Sequence, residues 1–301
     1  MVGGRFMQLR TDLALEEREI APKEELSGVD YSTTNEEGLD ITKIVIKSDS
    51  ASRTLHKDKG TYITVDLPPL TDNFSHTDKR VQSISKYIRS LLPVNGTVLV
   101  VGLGNTEITP DALGPKSAFQ TLATRHITGE LARSTGLDRL RSVAVLVTGV
   151  TGQTGIETEE YILSIVKRIK PTAIIAIDAL ASMSVNRLGK TLQISDTGIS
   201  PGAGVGNNRT KINSETMGIP VIAIGIPTVV DATTLAFDLL KIDDEAQTQE
   251  ILRNLTPDGR QMIVTPREVD LMIERGAKII SMSVNIALQS AIPPDELALL
   301  V

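Results

Sequence analysis

The chain contains no cysteine, no tryptophan and only three histidines. Without cysteine there are no disulfides, no thiolate nucleophile and no thiolate metal ligands, and the composition fits a reducing cytoplasm. His56, His76 and His126 lie too far apart to show metal-ligand spacing, so no metal and no cofactor is expected. Aromatic residues make up 3% of the chain. The core must therefore be built from Ile, Val, Leu and Ala, which favours parallel strands buried on both faces. No run of Lys and Arg forms a basic groove, and the net charge of -6 gives no electrostatic reason to bind nucleic acid. The longest apolar runs, 172–177 and 219–226, are too short to span a bilayer. The first thirty residues lack a signal-peptide core.

What is present is an alternating plan across 301 residues, with 41% hydrophobic and 23% charged residues, the proportions of a soluble globule. Residues 1–40 are rich in charge (Arg10, Asp12, Glu16, Glu17, Arg18, Glu19) and read as an exposed or loosely attached segment. Stretches 43–48 and 61–67 alternate as strands and predict a small antiparallel piece. A helix over 74–92 puts Val81, Ile84 and Ile88 on one face. Strands then recur at 97–103, 143–148, 172–177, 191–195 and 219–226. Helices are expected at 116–125, 157–169, from Val230, and over 266–290. Strands alternating with helices imply βαβ units, hence a three-layer α/β fold with a mostly parallel sheet. In such sheets ligands sit beyond the carboxyl ends of the strands, and here those ends are rich in Gly, Pro and Asp.

Two aspartates stand out. Asp111 lies in Thr109-Pro110-Asp111, just after strand 97–103 and the turn Gly102-Leu103-Gly104-Asn105. Asp178 ends the apolar run Ile174-Ile175-Ala176-Ile177. Each admits two readings: a helix cap, or half of a carboxylate pair in which one member activates water and the other acts as acid. Three further acids have simpler roles. Glu157 reads as a first-turn helix acid. Asp196 reads as a holder of the Gly-rich loop 198–206, and Asp231 as a helix-start acid. No Ser or Thr sits in a nucleophile elbow.

Several segments together resemble the germination protease family: Val100–Asn105, Thr109–Lys116, Gly152–Thr158, Ile175–Ala181, Gln193–Asp196, Gly202–Asn207, Gly218–Asp231 and Val264–Pro266. The resemblance covers most of 97–290, and Arg10-Thr11-Asp12-Leu13-Ala14 resembles the family's propeptide. It implies an intracellular endopeptidase of the forespore and spore core that degrades small acid-soluble spore proteins during germination. It further implies an atypical aspartic peptidase made as a self-processing, homotetrameric zymogen, with a fold similar to hydrogenase maturation endopeptidases. The essential aspartates map onto Asp111 and Asp178. Gly104, Asn105, Glu157, Asp196 and Asp231 are possible supporting residues. The chain would divide into a propeptide, 1–12, and a single peptidase domain, 13–301. The cut would fall between Asp12 and Leu13, with Glu19-Ile20 as the rival bond. The chain departs from the family in the short segment 242–261, which bears on assembly. The alternatives are a metal-dependent maturation peptidase or other hydrolase on the same fold, and a non-catalytic binding module of this type.

Overall fold

The computed structural model describes residues 10–22, 26–68, 74–202, 209–240 and 262–300. Segment 242–261 and part of loop 198–206, with Ala203–Asn207 of the Gly-rich motif, lie outside them. Nine strands form one sheet among the described residues: β1 (Val29–Glu36), β2 (Leu39–Ile46), β3 (Gly60–Asp66), β4 (Val98–Gly102), β5 (Val143–Val147), β6 (Ala173–Ser182), β7 (Thr191–Ser195), β8 (Val221–Asp231) and β9 (Ile263–Val264). Their spatial order is β1-β2-β3-β7-β8-β6-β4-β5, and β9 pairs with β8. The block β8-β6-β4-β5 is parallel. The pairing expected between 43–48 and 61–67 is present, with Ile44 opposite Tyr62. This antiparallel part is not a separate piece, because β3 pairs with β7 and β7 with β8.

Strands β4, β6 and β8 of the parallel block are buried on both faces because their apolar residues are continuous. Val98 and Val100 of β4, Ile175 and Ile177 of β6, and Ile222 and Ile224 of β8 join one core. Helices Lys79–Ser90 and Val269–Leu288 cover that side through Val81, Ile84, Ile88, Ile273 and Ile280. Leu99 and Val101, Ile174 and Ala176, and Val221 face the second core, closed by Ile162 and Val166 of helix Thr158–Ile169. This is the helix–sheet–helix layering expected of alternating βα units.

Four parts of the chain differ from the sequence reading. β6 does not stop at Asp178 but runs on to Ser182, and β8 does not stop at Pro227 but runs on to Asp231. A register shift between Leu180 and Ala181 carries the ladder past Pro227, which has no N–H to give to it. Helix 116–125 begins and ends early, as Leu113–Phe119. It packs so closely on β4 and β6 that a Cβ at Gly114 would meet the carbonyl oxygens of Leu103 and Ile177 at 2.2 and 2.3 Å. The described part of 1–40 is not loosely attached. Leu13 and Ala14 are fully buried, and helix Ala14–Ile20 packs with Ile44, Ile46 and Tyr62 in a third core.

Candidate active site

β6 places Asp178 opposite Gly225 of β8, with only 6% of its surface exposed. Its Oδ1 accepts the N–H of Ala179 at 2.9 Å. It is therefore a strand residue and not a helix cap. Asp111 ends the 3₁₀ turn Thr109–Asp111, and the cap of the following helix is Ala112. The Asp111 Oδ2 accepts the Asn105 N–H at 2.7 Å. The Asn105 side chain fixes its own loop, since its Oδ1 accepts from Gln153 Nε2 at 2.7 Å and from the Glu107 N–H at 2.9 Å. Gly104 has a φ of +118°, and a Cβ there would come within 2.0 Å of the Asp111 carbonyl oxygen. Only glycine fits that conformation and that approach. From the other side the Thr228 hydroxyl donates to the Pro110 carbonyl at 2.7 Å. The Asp111 turn is thus tied both to the end of β4 and to the irregular part of β8.

Asp111 and Asp178 line one cavity of about 260 Å³, together with Asp12, Gly104 and Arg209. Burial holds the Asp178 pKa well above the usual carboxylate range, and the charges of Asp111 and Asp12 push it further up. Burial raises Asp111 too, opposed by the Asn105 N–H and by the positive charge of Arg209. Both carboxyls are shifted upward, Asp178 further than Asp111.

The N-terminal segment is seated in this region. The Asp12 N–H donates to the Ala181 carbonyl at 2.9 Å, and the Ala181 N–H donates to Asp12 Oδ2 at 2.8 Å. Gln193 Nε2 donates to the Asp12 carbonyl at 2.9 Å, while its Oε1 accepts the Ala14 N–H at 2.8 Å. Lys57 Nζ reaches the Thr11 carbonyl at 3.0 Å. Glu16 is fully buried, and its carboxylate accepts the N–H groups of Met183 and Ser184 at 2.7 and 3.0 Å, with Arg187 at 3.6 Å. A buried carboxylate needs such donors.

The other sequence candidates fall around the cavity and do not line it. Glu157 is exposed and caps helix Thr158–Ile169 without a side-chain cap bond. Its Oε2 accepts the Thr151 hydroxyl at 3.3 Å. Asp196 holds the Thr61 N–H at 2.7 Å, so it ties β3 to β7; no bond from its carboxylate to the described part of loop 198–206 is found. Asp231 caps helix Ala232–Leu240 by accepting the Thr234 N–H at 3.0 Å. Sequence reasoning missed Arg209, Glu16 and Gln193. For Gln193 the signal was available: Thr191, Gln193 and Ser195 alternate with the core residues Leu192 and Ile194, a buried polar face on a central strand. Among the described residues no group of three or more His, Asp or Glu is placed to hold a metal ion.

Residues 9–242 match the family model of the germination protease. The chain is 42% identical to the germination protease of Caldanaerobacter subterraneus, over 96% of this chain and 97% of that one. It is 42% identical to that of Clostridium acetobutylicum, over 96% and 98%, and 36% identical to that of Priestia megaterium, over 95% of each. Among solved structures it shows a partial likeness to the [NiFe] hydrogenase maturation protease HycI of Thermococcus kodakarensis. The TM-score there is 0.37 and the identity 16%, over 66% of this chain and 98% of that one. The chain belongs to the germination protease family, a family of peptidases.

Proposed function

We propose that the protein is an aspartate-dependent endopeptidase that starts the breakdown of small acid-soluble spore proteins in the spore core, and that it is made as a homotetrameric zymogen which removes its own residues 1–12. Family membership supports the substrate class, the assembly and the compartment. The single observation that carries the chemistry is that Asp111 and Asp178 line one cavity with Asp12 of the N-terminal segment.

In this reading Asp111, which burial raises less than Asp178 because the Asn105 N–H and Arg209 oppose it, takes a proton from water. The water oxygen bonds to the carbonyl carbon of the peptide. Asp178, which keeps its proton, gives it to the carbonyl oxygen. Collapse of the tetrahedral species breaks the C–N bond, the proton held by Asp111 passes to the leaving nitrogen, and a hydroxyl proton of the diol returns to Asp178. No co-reactant beyond water is needed. The same machinery serves a substrate chain and the Asp12–Leu13 bond, which lies between two residues bonded to the sheet, Asp12 and Ala14.

The test is cleavage of a purified spore-protein substrate by the processed enzyme, with and without chelator. Activity that survives chelation and vanishes in both Asp111→Asn and Asp178→Asn supports the reading. Full activity in either variant removes that residue from the mechanism, and loss on chelation replaces it with a metal-dependent one. Light scattering in solution tests the tetramer: a mass of four chains supports it and a monomer mass refutes it.

A further inference from the structure

Gln193 sits in the centre of the sheet, on β7, and is 8% exposed. Its side-chain amide spans Leu13, touching the peptide groups on either side of that residue. Nε2 donates to the carbonyl of Asp12, and Oε1 accepts from the N–H of Ala14, so the bond between Asp12 and Leu13 lies between its two contacts. The donor therefore touches the oxygen of that bond's own carbonyl. The amide is not free to turn, because swapping its ends would face two donors and two acceptors against each other. The Leu13 N–H is held as well, donating to the Thr11 hydroxyl at 3.0 Å, and the Ala181–Asp12 pair fixes the residue before the bond.

We infer that Gln193 is a catalytic residue of the self-cleavage reaction, with its Nε2 as the donor that stabilises the oxyanion formed on the Asp12 carbonyl. This rests on the reading that the Asp12–Leu13 bond is the one cut. When the water oxygen bonds to the Asp12 carbonyl carbon, the π pair moves onto the oxygen that Nε2 already contacts. The charge develops against a donor whose orientation the Ala14 N–H has fixed beforehand, so no reorganisation is needed at that moment. Asp178 then protonates that oxygen, and departure of the Leu13 nitrogen with the proton from Asp111, with return of a hydroxyl proton to Asp178, restores the carbonyl and leaves Gln193 unchanged. Lys57 and Lys211 line the small cavity of about 170 Å³ next to Gln193. Asp12 and Asp58 line it too, and Lys211 is paired with Asp58.

Gln193→Glu keeps an oxygen for the Ala14 N–H and replaces the donor by an acceptor. Gln193→Ala removes both. The full-length chain is incubated in mild acid, the appearance of a Leu13 terminus is timed, and hydrogen exchange at Ala14 and Ala181 reports whether the segment is still seated. In Gln193→Glu the expected result is retained exchange protection at both amides, an unchanged cleavage position and a rate lower on the order of 100- to 1,000-fold, the usual effect of losing one oxyanion donor. In Gln193→Ala the rate falls at least as far. Wild-type rates in both variants overturn the inference while leaving the Asp12–Leu13 reading intact. A slowed Gln193→Glu that has also lost protection overturns it too, since the amide then only seats the segment. A wild-type chain that starts at Ile20 overturns the reading and the inference together.

Discussion

Asp12 and Ala181 bond to each other twice: the Asp12 N–H donates to the Ala181 carbonyl at 2.9 Å, and the Ala181 N–H donates to the Asp12 carboxylate at 2.8 Å. The first contact fixes the backbone of the N-terminal segment and the second its charge. That charge is one of those holding the Asp178 pKa up. Asp12→Asn should therefore move the titration of Asp178 to lower pH, because one like charge is gone. Carboxyl carbon chemical shifts followed against pH check this. An unchanged midpoint would break the link between the segment and the site.

Asp178 also sets a pH dependence of stability. Its folded-state pKa lies above the unfolded value of about 3.9. Below that value both states carry the proton and no difference arises. As pH rises toward the folded pKa, the unfolded chain ionises first and is favoured. The favourable contribution is present in acid and lost as pH rises through the folded pKa. Asp178→Asn should thus melt above the wild type at neutral pH, with the gap closing on acidification. Thermal midpoints across that range measure it, and a gap that widens in acid contradicts the sign.

Gly104→Ala should abolish activity by displacing Asp111. The φ of +118° alone costs a non-glycine residue on the order of 1–3 kcal/mol. The new Cβ also meets a backbone oxygen at 2.0 Å. Denaturant melts and substrate cleavage are the measurements, and a variant with both unchanged would mean that the turn does not position the aspartate.

Glu16→Ala should loosen the segment. It leaves the half-buried N–H groups of Met183 and Ser184 without the carboxylate they now bond, at a total cost on the order of 1 kcal/mol or more. The melting temperature should fall, and self-processing should slow because Thr11–Ala14 lose their anchor. Faster processing in this variant would show that Glu16 restrains the bond instead of presenting it.

The parallel block was legible because its strands are plain apolar runs with Gly at their ends, as in Val98–Gly102. The two aspartates could be picked out for the same reason: each follows such a run. What could not be read were features in which a polar residue is buried by a distant partner. Asp178 and Pro227 look like strand ends, yet the register shift at Leu180/Ala181 carries both strands on to Ser182 and Asp231. Glu16 and Glu17 look like a solvated charged tail. Both are buried because Met183, Ser184 and Arg187 meet the first and His56 lies 3.5 Å from the second. Local sequence carries no record of such long-range pairs.

The most direct test of the account compares the wild-type chain with Asp178→Asn, each purified full length and incubated in mild acid without any other peptidase, by intact mass and N-terminal sequencing. The account predicts that the wild type loses residues 1–12 and begins at Leu13, while Asp178→Asn stays whole although Asp12 remains seated on Ala181. An Asp178→Asn chain that also begins at Leu13 would contradict it.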